Sequence, residues 1–150
     1  MGGIIKTPLP LVYVAKGQIE VVDKIYPERK KDIWGIVSGK LYCHVLVDKS
    51  CGWNKAMAKG LQYKIGDNSL TLPFCEHVAA LYAEKDKFNK TVEMLQQNDV
   101  LADVWTDELF CTAEVDSENV WVFNMANGQK SPVPRENEAL SARLILIPKS

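Results

Sequence analysis

The spacing of apolar residues changes twice along the chain and divides it into a strand-rich start, a helical middle and a strand-rich end. In the middle, three segments repeat apolar residues at intervals of three and four, which is the spacing of one helix face. They predict helices near residues 53–61, 75–84 and 88–97, and Pro73 lies where it suits the start of the second. Gly60 is expected to weaken or end the first helix.

Segments rich in β-branched and aromatic residues flank these helices and predict strands. The Asn127-Gly128 pair is the strongest hairpin signal in the sequence, and Pro132 and Pro134 restrict the strand that follows it to a sheet edge. The segments predicted as strands are Gln18–Val22, Ile33–Val37, Leu41–Val47, Leu109–Val115, Val120–Met125, Gln129–Val133 and Ala142–Ile147.

Segregated strands and helices favour an α+β fold over an alternating α/β fold. A length of 150 residues fits one domain over 1–150, with residues 1–16 as an extended N-terminal arm. The hydrophobic content of 47% and the net charge of -1 exclude a disordered chain and give no basic excess for nucleic acid. No apolar window approaches the roughly 18 residues of a membrane span, and no stretch has a signal-peptide pattern.

The four cysteines, Cys43, Cys51, Cys75 and Cys111, allow three disulfide pairings that the sequence does not distinguish. Buried, inert thiols are the favoured interpretation, since free cysteine is among the most buried residue types. No C-x-x-C pair supports a zinc or redox site. His44 adjoins Cys43 on a predicted strand, where neighbouring residues point to opposite faces, and His77 lies two residues from Cys75 on a predicted helix, where the two side chains point to different faces. We therefore predict no metal site and no cofactor.

Several short motifs occur in a fixed order. Leu72-Pro73, then Glu76, then Leu81-Tyr82 resembles a pattern in bacterial C-type-lectin-like domains, such as the major paralogous domains of Fibrobacter. The other matching segments, spread over residues 17–147, are Trp34–Val37 (G-[IV]-V), Trp53–Ala56 (W-x-E-A), Asp103–Asp107 (yW-[ST]-S), Val120–Gly128 (AW-x-V-x-F-x-x-G) and Ala142–Ile145 (V-R-x-V). The resemblance implies a C-type-lectin-like fold with a small mixed or antiparallel sheet, two to three helices and a loop-rich binding region.

The sequence departs from this pattern at two positions. Phe74 stands where the family has a helix-capping Ser or Thr, and Asp107 replaces a Ser. The Glu-Pro-Asn, Gln-Pro-Asp and Trp-Asn-Asp calcium motifs are absent, and no short segment concentrates the oxygen ligands that calcium needs. Any binding is therefore expected to be calcium-independent.

Two polar segments are the candidate ligand-binding residues. In the first, Trp105 is an amphipathic aromatic beside Thr106, Asp107 and Glu108. It is a recognition residue or a loop anchor, whereas packing is the expected role of Trp34, Trp53 and Trp121. The second segment is a polar loop, which either binds or merely connects strands. Its candidates are Asn127, Gln129, Lys130 and Arg135.

These observations lead to three functional hypotheses. The first is a non-enzymatic recognition or structural module that binds a protein or glycan, at a cell surface, secreted or on a phage-like particle. The second is a thiol- or metal-dependent enzyme that uses Cys43, Cys75 or Cys111 with His44 or His77. The third is a cytoplasmic interaction domain. A reactive cysteine would favour the second, and fractionation of the native host would test the third.

Overall fold

The computed structural model describes residues 5–49, 52–62, 64–65 and 68–146. Within these ranges the chain forms ten strands, three α-helices and one 3₁₀ helix, Pro27–Asp32. In chain order the strands and α-helices are β1 Ile5–Ala15, β2 Gln18–Ile25, β3 Ile33–Ser38, β4 Leu41–His44, α1 Gly52–Gln62, β5 Lys64–Ile65, β6 Asn68–Ser69, α2 Cys75–Ala83, α3 Lys85–Gln97, β7 Leu109–Val115, β8 Asn119–Asn124, β9 Gln129–Pro134 and β10 Ile145–Leu146.

A five-stranded antiparallel sheet in the order β10-β4-β3-β1-β2 carries the two ends of the described chain. The segment predicted as an N-terminal arm supplies β1, which pairs with β2 on one side and β3 on the other. Leu11, Val12 and Tyr13 are all fully buried, because both faces of this strand are covered. A strand buried on both faces lacks polar alternation, so the sequence pattern gave no strand signal there.

Each face of the large sheet packs against its own group of buried side chains. Leu11 and Tyr13 point towards α2 and α3, and they pack in one group with Leu81 and Phe88. Val12 points the opposite way and belongs to a second group that includes Ala56 of α1. Alternation along β1 therefore divides the core between the helices predicted in the middle of the sequence.

The backbone of α1 approaches the segment after β6 at Gly60. A Cβ at this position would lie 2.8 Å from the Leu70 carbonyl oxygen, and the Leu70 N–H donates to the Gly60 carbonyl at 3.1 Å. The helix continues through Gly60 to Gln62. Gly60 therefore does not end the helix, and its lack of a side chain allows the close approach of Leu70; that it weakens the helix stays a prediction.

Helix α2 starts without the usual hydroxyl cap. The Cys75 N–H donates to Oε1 of Glu114, which lies on β7, at 2.9 Å. The Phe74 N–H donates to Nδ1 of His77 at 3.2 Å. A carboxylate from a distant strand and an imidazole one turn away thus accept from two backbone N–H groups at the start of the helix, and the Phe74 carbonyl accepts from the N–H groups of His77 and Val78 at 3.0 Å.

A second sheet, β7-β8-β9, is also antiparallel, and Asn127-Gly128 lies in the predicted turn between β8 and β9. Strand β9 is at the sheet edge, as its prolines predicted. The final strand is shorter than Ala142–Ile147: β10 contains only Ile145–Leu146, Ala142 forms an isolated bridge with Asp48, and Ile147 lies outside the described residues.

The structure confirms the α+β class with antiparallel sheets. The pattern-based strands and helices are found within a few residues of their predicted ends, except that β4 stops at His44, and the short β5–β6 pair lies in a segment for which no strand was predicted. No helix in the described part of the chain combines the length and apolar character required to cross a membrane.

Candidate recognition surface

The first predicted binding residue, Trp105, lies in the core. It is 2% exposed and sits between the rings of Phe88 and Phe110, at centroid distances of 5.9 and 4.6 Å. Asn89 clamps its backbone, with Oδ1 accepting from the Trp105 N–H at 2.7 Å and Nδ2 donating to its carbonyl at 3.1 Å. The ring is therefore not offered to a surface ligand, although polar neighbours in the sequence suggested that it was.

Arg143 covers the same tryptophan and is itself 1% exposed. Its guanidinium carbon lies 4.5 Å from the centroid of the Trp105 ring and 4.8 Å from that of Phe88. Nη1 donates to the His44 carbonyl at 3.2 Å, and Nη2 donates to the carbonyls of Asp103 and Val104. Burial lowers the pKa of Arg143 to about 10, so the side chain stays cationic at neutral pH.

Asp107 and Glu108 of the first candidate segment form contacts within the protein, whereas the buried Thr106 hydroxyl has no hydrogen-bond partner among the described residues. Thr106 is half-buried, and the exposed carboxylate of Asp107 forms an ion pair with Lys85 at 3.1 Å. Glu108 accepts a hydrogen bond from the Ser141 hydroxyl at 2.7 Å. These contacts anchor the segment before β7 and leave Asp107 as its most accessible member.

The second candidate segment is split along β9. Asn127 accepts a hydrogen bond from the Gln129 N–H at 3.0 Å, which shapes the turn before the strand. Arg135 follows the other end of β9. Six residues of strand span roughly 20 Å, so Gln129 and Arg135 do not share one small site. The eight predicted residues therefore form no single pocket.

Two cation–aromatic pairs lie along this edge of the second sheet. The Lys130 ammonium nitrogen lies 5.2 Å from the ring centroid of Trp121, and the Arg135 guanidinium carbon lies 4.7 Å from that of Trp53. All four side chains are partly or fully exposed. We call Trp53, Trp121, Lys130 and Arg135 the β9 surface. The sequence analysis assigned both tryptophans to packing, because the linear sequence does not show which cations contact their rings.

Two adjoining clefts border the Arg135 end of the β9 surface. Their volumes are about 590 and 190 Å³, and they share Asn54, Arg135 and Glu136 as walls. Glu118 and Asn119, from the turn into β8 and its first residue, line the larger cleft, and Trp53 lines the smaller. The clefts therefore offer amide, carboxylate and guanidinium groups beside one aromatic ring.

The cysteines and the His44 ring considered for catalysis lie in the protein interior, where burial disfavours their charged forms. Burial raises the pKa of the Cys43 thiol to about 12 and also raises the pKa of Cys75, whose sulfur contacts the Thr112 hydroxyl at 3.7 Å. Burial lowers the pKa of His44 to about 4, so its ring is neutral at pH 7. Cys111 is buried as well, and Cys51 lies outside the described residues.

We expect Cys43, Cys75 and Cys111 to resist iodoacetamide at pH 8 in the folded protein, since the thiolate is the reactive form and none of the three reaches solvent. Peptide mapping by mass spectrometry after native labelling measures this directly. Labelling in urea is the control, in which all three should react. Rapid native labelling of any one of them would contradict the assignment and would revive the thiol-enzyme hypothesis.

Among the described residues, no group of three or more His, Cys, Asp or Glu side chains is arranged to hold a metal ion. Comparison of the chain with protein-family models, with curated proteins and with solved structures finds no match.

Proposed function

We propose that this chain is a non-enzymatic recognition module with a C-type-lectin-like fold, which binds a protein or glycan through the β9 surface without calcium. The observation that carries the proposal is the pair of partly exposed tryptophans, each covered by a cation, beside the clefts at Arg135. Aromatic residues and arginine are the side chains most enriched at binding interfaces.

The cation–aromatic pairs favour recognition because they hold long side chains in place before a partner arrives. Lys130 and Arg135 would otherwise lose rotamer freedom on binding, at about 0.5–1.5 kcal/mol for each side chain. Stacking on Trp121 and Trp53 reduces that cost. The same rings keep apolar edges for contact with a partner, and the Trp121 indole N–H is a suitable polar group for either a peptide or a sugar, whereas the Trp53 indole nitrogen is buried.

The finer fold proposal rests on the ordered motifs together with the observed element order. Strands come first, helices occupy the middle, and strands follow. The segment matching the closing motif returns to the large sheet, where β10 pairs with β4. A module of this kind would act at a cell surface, as a secreted protein or on a phage-like particle.

The β9 surface is tested with a charge reversal and a matched control. Lys130→Glu should weaken binding to a captured protein or glycan at least about tenfold, since it opposes the partner's contact with Trp121. Lys24→Glu is the control, because Lys24 is also an exposed strand lysine but lies on β2 in the other sheet. Surface plasmon resonance measures both after the partner is found by a glycan array and an affinity pull-down from host extracts.

Equal binding by Lys130→Glu, Lys24→Glu and the unmodified chain would place recognition elsewhere on the molecule. Arg135→Glu tests the cleft end of the same surface and should weaken binding in parallel with Lys130→Glu. The absence of a partner in both screens would count against the recognition proposal itself. Fractionation of the native host distinguishes an exported module from the cytoplasmic interaction domain of the third hypothesis.

A further inference from the structure

A separate cleft of about 600 Å³ lies at one end of the large sheet, and it contains no residue of the β9 surface. It is bounded by the end of the 3₁₀ helix, the start of β3, the end of β4 and the turn after α3. This volume falls within the range of about 300–1,000 Å³ that small-molecule sites occupy.

Apolar side chains form the walls of this cleft. Two of them, Leu46 and Leu101, are unusually accessible for leucine, at 40% and 83% exposure. Hydrogen bonds fix the backbone on both sides of Leu101: the Val100 N–H donates to the Leu95 carbonyl at 2.9 Å, and Gln96 donates to the Ala102 carbonyl at 2.8 Å. The exposed leucine is therefore presented by an anchored segment.

Trp34 forms a further wall and is stacked on the His44 ring, with centroids 5.1 Å apart and the planes 23° from parallel. Trp34 is only 8% exposed, and its indole N–H has no hydrogen-bond partner among the residues that the structure describes. A buried donor without an acceptor carries an uncompensated desolvation cost.

Charge at the rim favours an anion. Lys30 and Lys31 both line the cleft, and neither forms an ion pair within the described ranges. Asp32 lines it too, but Arg29 engages its carboxylate at 3.5 Å. Asp99 is the other acidic residue of the lining. Two lysines therefore face one unpaired carboxylate around the apolar walls.

We infer that this cleft binds a small amphipathic carboxylate, with its apolar body against Leu46, Leu101 and Trp34 and its carboxylate towards Lys30 and Lys31. The apolar walls and the two lysines at the rim define the two parts of such a molecule. Binding here is independent of the proposed recognition function, because none of these side chains belongs to the β9 surface.

The test uses 4-phenylbutyrate, with 4-phenylbutanol as an uncharged probe of similar shape. Titration is followed by ¹H–¹⁵N NMR, with the Trp34 indole N–H and the Leu101 amide as reporters. We expect saturable shifts of both signals, tighter binding of the acid than of the alcohol, and a loss of at least about tenfold in affinity for both probes in Leu101→Asp, which puts a charge against the apolar body. Leu61→Asp is the matched control, since Leu61 is an exposed leucine on α1 away from the cleft.

The double variant Lys30→Gln/Lys31→Gln tests the charge assignment. It should leave the affinity for the alcohol unchanged and remove most of the preference for the acid, at about two- to fivefold for each exposed ion pair. Absence of saturable shifts at millimolar probe, or equal effects of Leu101→Asp and Leu61→Asp, would overturn the site. A preference for the acid that survives the double variant would overturn the role of the lysines.

Discussion

Replacing Arg143 with methionine is expected to lower the free energy of unfolding by about 3–5 kcal/mol. The guanidinium donates to three backbone carbonyls, those of His44, Asp103 and Val104. Methionine fills much of the volume but removes the hydrogen bonds that Arg143 donates to these acceptors, at about 1–3 kcal/mol for each. Removing the buried charge offsets part of this destabilisation, because the guanidinium was desolvated in the folded protein. The loss of its three hydrogen bonds is the larger effect.

Urea denaturation at pH 7, followed by circular dichroism, measures this change. Arg135→Met is the matched control: Arg135 is more accessible than Arg143 and lies over the Trp53 ring, so its loss should cost no more than about 1 kcal/mol. Arg143→Lys should fall between wild type and Arg143→Met, since one ammonium keeps the charge without the planar fork. If the free energy of unfolding of Arg143→Met lies within about 1 kcal/mol of the wild-type value, the carbonyls must find other donors.

The second large effect is expected at Trp105, where truncation to alanine should cost about 3–5 kcal/mol. The ring is enclosed by Phe88, Phe110 and the Arg143 guanidinium, so its removal opens a cavity in the main core. Trp121→Ala is the matched control, because Trp121 is only partly buried at the β9 surface and should lose less than half as much stability.

Binding measurements separate the two tryptophans further. Trp121→Ala should weaken partner binding while the protein remains folded, whereas Trp105→Ala should reduce binding only through loss of folded protein. A Trp105→Ala variant that melts like wild type but no longer binds would contradict the core assignment. Because Arg143 and Trp105 are in contact, the double variant should cost less than the sum of the single changes, by about 0.5–3 kcal/mol.

The contrast between Trp105 and Trp121 shows which features of the candidate site the linear sequence leaves open. Polar neighbours made Trp105 a binding candidate, but Asn89 and Arg143 reach its backbone and ring from α3 and from the segment before β10. Trp121 stands in an apolar strand, but Lys130 from the neighbouring strand covers it. In both cases the deciding contact comes from a residue that the linear pattern does not connect to the tryptophan. The one motif that pointed to Arg143 was the closing segment of the family resemblance.

The cap of α2 and the role of Gly60 follow the same rule. Phe74 itself carries no hydroxyl, and the carboxylate that accepts from the Cys75 N–H is that of Glu114, which lies on β7, 39 residues further along the chain. Gly60 reads locally as a helix breaker, but the approach of the Leu70 backbone gives it a packing function within the helix. Local propensity predicted the helices correctly, but it did not predict which tertiary contacts would hydrogen-bond the backbone groups at their ends.

The α+β class, the three amphipathic helices, the Asn127-Gly128 turn and the edge position of β9 could be predicted from the linear pattern, because each depends on the period of apolar residues or on local backbone chemistry. The inner position of Ile5–Ala15 in the sheet, the buried stack of Trp105 and Arg143 and the cations on the exposed tryptophans depend on the three-dimensional arrangement. Burial and long-range pairing are set by which elements meet, whereas a one-dimensional pattern records only what each element requires.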